Sequence, residues 1–153
     1  MNIKQNKKKL WEECTSLPNL QKTAESIARE ILASERFCLW LEGEMGAGKT
    51  TLSGLILKAC GLNPAIPVSS PTYTLMNEYL ISNQLYLHFD LYRVEEQFDP
   101  EDLGLCSERS IKGLIVEWPE NSSGQPIFDP THRLEIHSAY DLTQRKYSFY
   151  RTL

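Results

Sequence analysis

Gly43-Glu44-Met45-Gly46-Ala47-Gly48-Lys49-Thr50 meets every fixed position of the pattern G-x-x-x-x-G-K-[ST]. Glycines at these positions allow backbone turns that aim successive N–H groups inward around a phosphate. A helix starting at Lys49 adds the positive end of its dipole. The lysine reaches β- and γ-phosphate oxygens, and the threonine hydroxyl is a ligand for magnesium. A glycine-rich helix cap would explain the glycines but not the Lys49-Thr50 pair. The flanks carry the weight, because so short a pattern also arises by chance. Phe37 to Leu41 is an unbroken apolar run of strand length, as expected of a strand covered on both faces. After the loop, Leu52, Leu55, Ile56, Ala59 and Cys60 mark one face of a helix over 49–60, which Gly61 ends.

Working outward, Leu20, Ala24, Ile27, Ala28, Ile31 and Leu32 predict an amphipathic helix over 19–33, with Asn19 as its cap. Tyr79 to Ile81, Leu85 to Phe89 and Leu114 to Val116 are β-forming apolar runs. Arg133 to His137 and Lys146 to Arg151 alternate like half-exposed strands. The proline-rich stretches 64–71 and 119–130 read as surface loops. These elements predict one α/β domain over 1–153: a P-loop NTPase with a central, mostly parallel sheet, antiparallel additions and flanking helices. Lys4 and Lys7 to Lys9 form a basic cluster that reads as a solvated tail, with residues 1–9 flexible.

Composition narrows the function. A length of 153 residues suits a single core, and 41% apolar with 24% charged residues is ordinary globular composition. A net charge of -4 gives no bulk attraction for nucleic acid. No run approaches a membrane span and no signal sequence is visible. Cys14, Cys38, Cys60 and Cys106 are far apart, with no CxxC pair and no histidine at metal spacing. Three of them sit inside apolar stretches and read as buried thiols of a cytoplasmic protein, not a zinc site.

A nucleotide at the loop needs an acid for its magnesium and a group that orients the attacking water. Asp90 and Glu117 each follow an apolar run directly. In strands parallel to the one before the loop, both emerge at the carboxyl edge, where ligands bind. Asp90 holds magnesium directly or through water; Glu117 completes the metal shell or orients the water. His88, inside its apolar run, reads as a core histidine. Trp118 packs near the nucleotide or covers the sheet edge. Arg93 and Arg145 are candidates for neutralising phosphate charge, and Asp99, Glu101 and Asp102 are solvated acids of a polar loop.

No [NT]-K-x-D run or D-x-x-G switch is present, which argues against a Ras-like GTPase; no LSGGQ signature supports an ABC ATPase. Four segments in order, Gly43 to Thr51, Ser70-Pro71-Thr72-Tyr73-Thr74-Leu75, His88-Phe89-Asp90-Leu91-Tyr92-Arg93 and Glu117-Trp118-Pro119-Glu120, closely resemble the bacterial TsaE (YjeE) family. Leu103-Gly104-Leu105 falls where that family has a short element. The resemblance runs from about Asn19 to Arg145. It implies an ATPase acting with the TsaB and TsaD proteins to make N6-threonylcarbamoyladenosine at tRNA position 37, with tRNA reached only through the complex.

It further implies that Glu44, Met45, Gly46, Ala47, Gly48, Lys49, Thr50 and Thr51 hold ATP, with Trp118 and Arg145 close to the nucleotide. Thr50 and Glu117 contact Mg2+, Asp90 takes the Walker B role, and 70–75 forms a switch-like loop over the γ-phosphate. Glu44 and Met45 replace the family's usual Asp-Leu, at positions where backbone groups do the binding. The stretch after Arg151 is shorter than in many members. Two other classes stay open on the residues alone: a small-molecule kinase, which the missing Arg-rich lid disfavours, and a nucleotide-dependent binding module without turnover.

Overall fold

The computed structural model describes residues 6–94, 110–122 and 124–153, and these build one seven-stranded sheet in the order β1-β7-β6-β2-β5-β4-β3. The strands are β1 (Lys7–Ser16), β2 (Phe37–Gly43), β3 (Met76–Ile81), β4 (Gln84–Asp90), β5 (Ile111–Glu117), β6 (His132–Ser138) and β7 (Gln144–Thr152). β6, β2, β5 and β4 run parallel in the centre, while β1, β7 and β3 are antiparallel additions. The α-helices among the described residues are α1 (Leu20–Leu32) and α2 (Lys49–Ala59). Asp99, Glu101, Asp102, the Leu103-Gly104-Leu105 element, Cys106 and Lys4 lie outside the described residues.

Strand alternation sorts the apolar residues into two cores. Phe37, Leu39, Leu41, Tyr86 and Ile115 face α1 and α2, joined by Ile27, Ile31, Leu52, Ile56 and Leu57 from the helices. Cys38, Leu85, Leu87, Phe89, Leu114 and Val116 face the other side and meet Phe128. Both described α-helices therefore cover the same face of the sheet. On the second face, Phe128 is buried and its ring packs edge-on against Phe89 at 4.9 Å. The 119–130 segment is thus more than a surface loop. It forms short 3-10 turns at Pro119–Asn121 and Pro126–Phe128 and donates part of the core.

Three further expectations change. Lys7 to Lys9 do not lie in a tail: they open β1, which pairs antiparallel with β7 from Lys7↔Thr152 to Ser16↔Gln144. Lys9 bonds Glu12 at 2.7 Å, and Lys7 pairs with Glu135. Charged residues on such an edge discourage pairing with other chains. Asn19 stands at the start of α1 without a side-chain cap; its amide turns back to Ser16 Oγ at 3.3 Å. In α2 the buried face includes Ser53, Gly54 and Leu57, while Leu55 is half-buried, because the helix packs against α1 as well as against β2 and β5. Cys38 is buried as expected, Cys60 is half-buried and Cys14 is exposed on β1. Among the described residues, no helix is long and apolar enough to cross a membrane.

Candidate functional site

The parallel strands β2, β4 and β5 end side by side. Register pairs Leu41 with Glu117 and Asp90 with Glu117, so β5 carries its acid between the end of β2 and that of β4. The chain leaves β2 through Gly43 and enters α2 at Lys49. Gly46 (φ 79°) and Gly48 (φ 92°) take left-handed backbone there, which side chains disfavour. A Cβ at either glycine would meet open space, so the requirement is conformational, not steric. A cavity of about 400 Å³ opens over this loop. Met45 to Thr51 line it, together with Thr72, Asp90, Tyr92, Arg93, Glu117 and Trp118.

Glu117 is 2% exposed and receives three polar neighbours. Thr50 Oγ1 lies 3.2 Å from its Oε2, while Ser53 Oγ at 3.2 Å and His88 Nε2 at 2.7 Å reach Oε1. Asp90, 4% exposed, holds the 70–75 segment. Ser70 Oγ and Thr72 Oγ1 donate to its Oδ2 at 2.8 and 3.0 Å, and Tyr92 N donates to Oδ1 at 3.0 Å. Its backbone N–H also bonds Leu75 O at 3.1 Å. Leu75 closes that segment with a positive φ of 69° and an N–H bond to Pro71 O at 2.7 Å. One acid thus anchors the loop and the other faces α2.

Lys49 is largely buried, and burial pushes its ammonium pKa down against the opposing pull of Glu117, Glu120 and Asp90. Its Nζ donates to Gly43 O at 2.6 Å and Glu44 O at 2.9 Å, beneath the Trp118 ring. Trp118 takes left-handed backbone (φ 57°) directly before Pro119, uncommon for a bulky side chain. Its ring rests 4.9 Å from that of Tyr92. Arg93 stacks 4.5 Å over Tyr73.

Arg145 is not in this cavity. It lies across the loop in a recess of about 350 Å³ shared with Glu44 to Ala47 and Ile136 to Ser138. There its Nη1 donates to Leu142 O and Gln144 O at 3.2 and 3.1 Å. Met45, Gly46 and Ala47 line both openings, so the loop separates the two acids from the arginine.

Ser53 and Tyr92 reach the site with no role expected of either, whereas Thr72 does so as part of the 70–75 loop expected there. Ser53 had a legible signal, since it stands three and four residues after Thr50 and Lys49 on one helix face. His88 is a core histidine as expected, yet it also touches Glu117.

Among the described residues, no group of three or more His, Cys, Asp or Glu side chains is arranged to hold a metal by itself. A hydroxyl and carboxylates are the hard oxygen donors magnesium takes, and magnesium commonly keeps waters and substrate phosphates as its other ligands. The donor set therefore fits that ion better than a soft transition metal.

A family model described as "Threonylcarbamoyl adenosine biosynthesis protein TsaE" matches residues 14–147. A relative from Aquifex aeolicus, named tRNA threonylcarbamoyladenosine biosynthesis protein TsaE, is 39% identical over 131 residues, covering 85% of this chain and 87% of the relative. One of the same name from Haemophilus influenzae is 34% identical over 99 residues; the match covers 64% of this chain and only 61% of the relative. The crystal structure of Bacillus subtilis YdiB superposes with a TM-score of 0.62 over 97% of this chain and 88% of that one, at 22% identity, which shows the shared fold. With the family match running from β1 into β7, the chain belongs to the TsaE family of threonylcarbamoyl adenosine biosynthesis proteins.

Proposed function

We propose that the chain binds ATP with magnesium at the glycine-rich loop and hydrolyses it slowly, in service of the tRNA position-37 threonylcarbamoyladenosine modification. The observation that carries this reading is the 3.2 Å approach of Thr50 Oγ1 to Glu117 Oε2 at the mouth of a loop that also presents Lys49. In this reading the backbone N–H groups of 44–51 surround the phosphates. Lys49 exchanges its contacts to Gly43 O and Glu44 O for β- and γ-phosphate oxygens. Thr50 and Glu117 would hold magnesium, with Asp90 a further donor directly or through water. Bound magnesium neutralises charge developing on the transferred phosphoryl group. Glu117 Oε2 is also the carboxylate oxygen placed to orient a water. Trp118 covers the phosphate side, and Arg145 serves the far side of the loop.

The 70–75 segment is the switch. Its hydroxyls sit on Asp90, so charge arriving in the cavity competes for the same carboxylate. An order change there is a common way of passing nucleotide state to a partner. The partners in this reading are TsaB and TsaD, in the cytoplasm, with tRNA met only through their complex. Partner binding accelerates turnover: among the described residues the one arginine lining the cavity, Arg93, is stacked on Tyr73, so a finger, worth about 10³–10⁵ in rate, is left for a partner to supply.

The test is phosphate release by the chain alone and with TsaB and TsaD, alongside tRNA modification over many cycles. Slow release alone and faster release in the complex is the expected result. Fast turnover by the chain alone, with phosphorylation of a small hydroxyl compound, overturns it in favour of a kinase.

A further inference from the structure

His88 projects from β4 toward the helix-covered face and is fully buried. Its Nε2 sits 2.7 Å from Glu117 Oε1, and its Nδ1 has no hydrogen-bond partner among the described residues. Ser53 also reaches Oε1, but it has one hydroxyl proton and its oxygen lies 2.8 Å from Lys49 O, which can only accept. With that proton on the carbonyl, the histidine is the donor left for Oε1. The same geometry selects the tautomer. An Nδ1–H ring would bury an unmet N–H and point a lone pair at a carboxylate oxygen, whereas an Nε2–H ring leaves only an acceptor unmet.

We propose that His88 is a positioning residue for Glu117. By donating Nε2–H to Oε1 it turns that oxygen into the core and leaves Oε2 facing Thr50 and the cavity. A purely packing role would fill the same volume but supply no directed donor. The inference rests on the cavity being the nucleotide–magnesium site, and it deepens that reading: one oxygen of Glu117 is committed to the protein, the other to the ligand. Outer hydrogen bonds of this kind orient metal-binding carboxylates.

The test compares His88→Leu, which keeps bulk and removes the donor, with His88→Gln, which returns an N–H donor. Affinity for a non-hydrolysable ATP analogue without divalent metal, Mn2+ affinity of that complex by electron paramagnetic resonance, and turnover with the partner proteins are measured on folded variants. Metal-free nucleotide affinity is expected to stay within about twofold, while His88→Leu loses about tenfold in Mn2+ affinity and in kcat with little change in KM. His88→Gln is expected to recover most of both losses. Unchanged Mn2+ affinity and kcat in His88→Leu, or a glutamine no better than leucine, overturns the proposal. Nitrogen NMR of the wild-type ring decides the hydrogen bond without any ligand: an Nε2–H tautomer whose signal moves in Glu117→Gln supports it, and an Nδ1–H tautomer overturns it. A wild-type chain that binds no nucleotide would instead defeat the reading of the cavity, which the ring spectrum does not depend on.

Discussion

The ammonium of Lys49 lies 3.9 Å from the centre of the Trp118 ring while it bonds Gly43 O and Glu44 O. The lysine is thereby held inside its own loop, roofed by an aromatic ring that is itself fixed by Tyr92. A cation on an aromatic face contributes about 0.5–2 kcal/mol, with the upper end reached when water is excluded. Phosphate oxygens must outcompete both the carbonyls and the ring.

Two measurements follow from that cage. Lys49→Ala is expected to weaken ATP binding by about 1.5–3 kcal/mol, the worth of a charge-assisted contact, with the thermal midpoint little changed. ATP binding to the wild type is expected to alter tryptophan emission, and Trp118→Phe to abolish the change although Trp11 and Trp40 remain. An undiminished affinity for Lys49→Ala in a calorimetric titration would refute the role given to it.

The acids are expected to separate in kinetics, because they have different partners. Asp90→Ala frees Ser70 and Thr72, so hydrogen exchange over residues 70–75 should rise and magnesium-dependent binding weaken. Glu117→Ala, which removes the carboxylate facing Thr50 and Ser53, should weaken magnesium-dependent binding as well and, unlike Asp90→Ala, keep turnover low even at saturating magnesium. Turnover that recovers in both variants at saturating magnesium would assign Glu117 to the metal alone and remove its water-orienting role.

Gly113 tests the sheet beneath the site. It pairs with Phe37 across β2 and β5, and a Cβ there would stand 2.1 Å from the Phe37 ring. Gly113→Ala is therefore expected to cost about 1–3 kcal/mol through overpacking. Adding Phe37→Leu should recover part of the loss; urea unfolding of the single and double variants measures the coupling.

The β1–β7 edge carries a pH signature. The Lys9 ammonium, and next the Ser148 hydroxyl, bond Glu12 and hold its carboxyl at about 2, below the ordinary 4.5. A depressed folded-state pKa gives stability that is present above 4.5 and lost as pH falls toward 2. Glu12→Gln should thus be less stable than wild type at pH 6, with the gap narrowing steadily below pH 4.5. The site is exposed, so salt should shrink the gap at every pH. Urea midpoints across that range decide it; a gap independent of pH would show that the charge is not involved.

The sequence by itself determined the loop, both described α-helices and the central strands, since each rests on local chemistry. Glycine, lysine and threonine spacing, helical periodicity and the apolar runs of Phe37 to Leu41 and Leu114 to Val116 are readable along the chain. Asp90 and Glu117 were legible because an acid that ends an apolar run in a parallel strand is placed at the carboxyl edge of the sheet, where the loop after β2 also lies. Tertiary structure alone decided the rest. β1 is a charged edge that becomes a strand only because β7 supplies its hydrogen bonds. Phe128 sits in a proline-rich stretch, and its packing against Phe89 and the other side chains of the second sheet face makes it core. Arg145 lies across the loop from the acids because strand order, not sequence distance, decides which side of β2 a residue occupies. His88 read as core from its apolar neighbours, and it is core. Its contact with Glu117 comes from the parallel pairing of β4 and β5, a relation between residues 29 apart that no local pattern encodes.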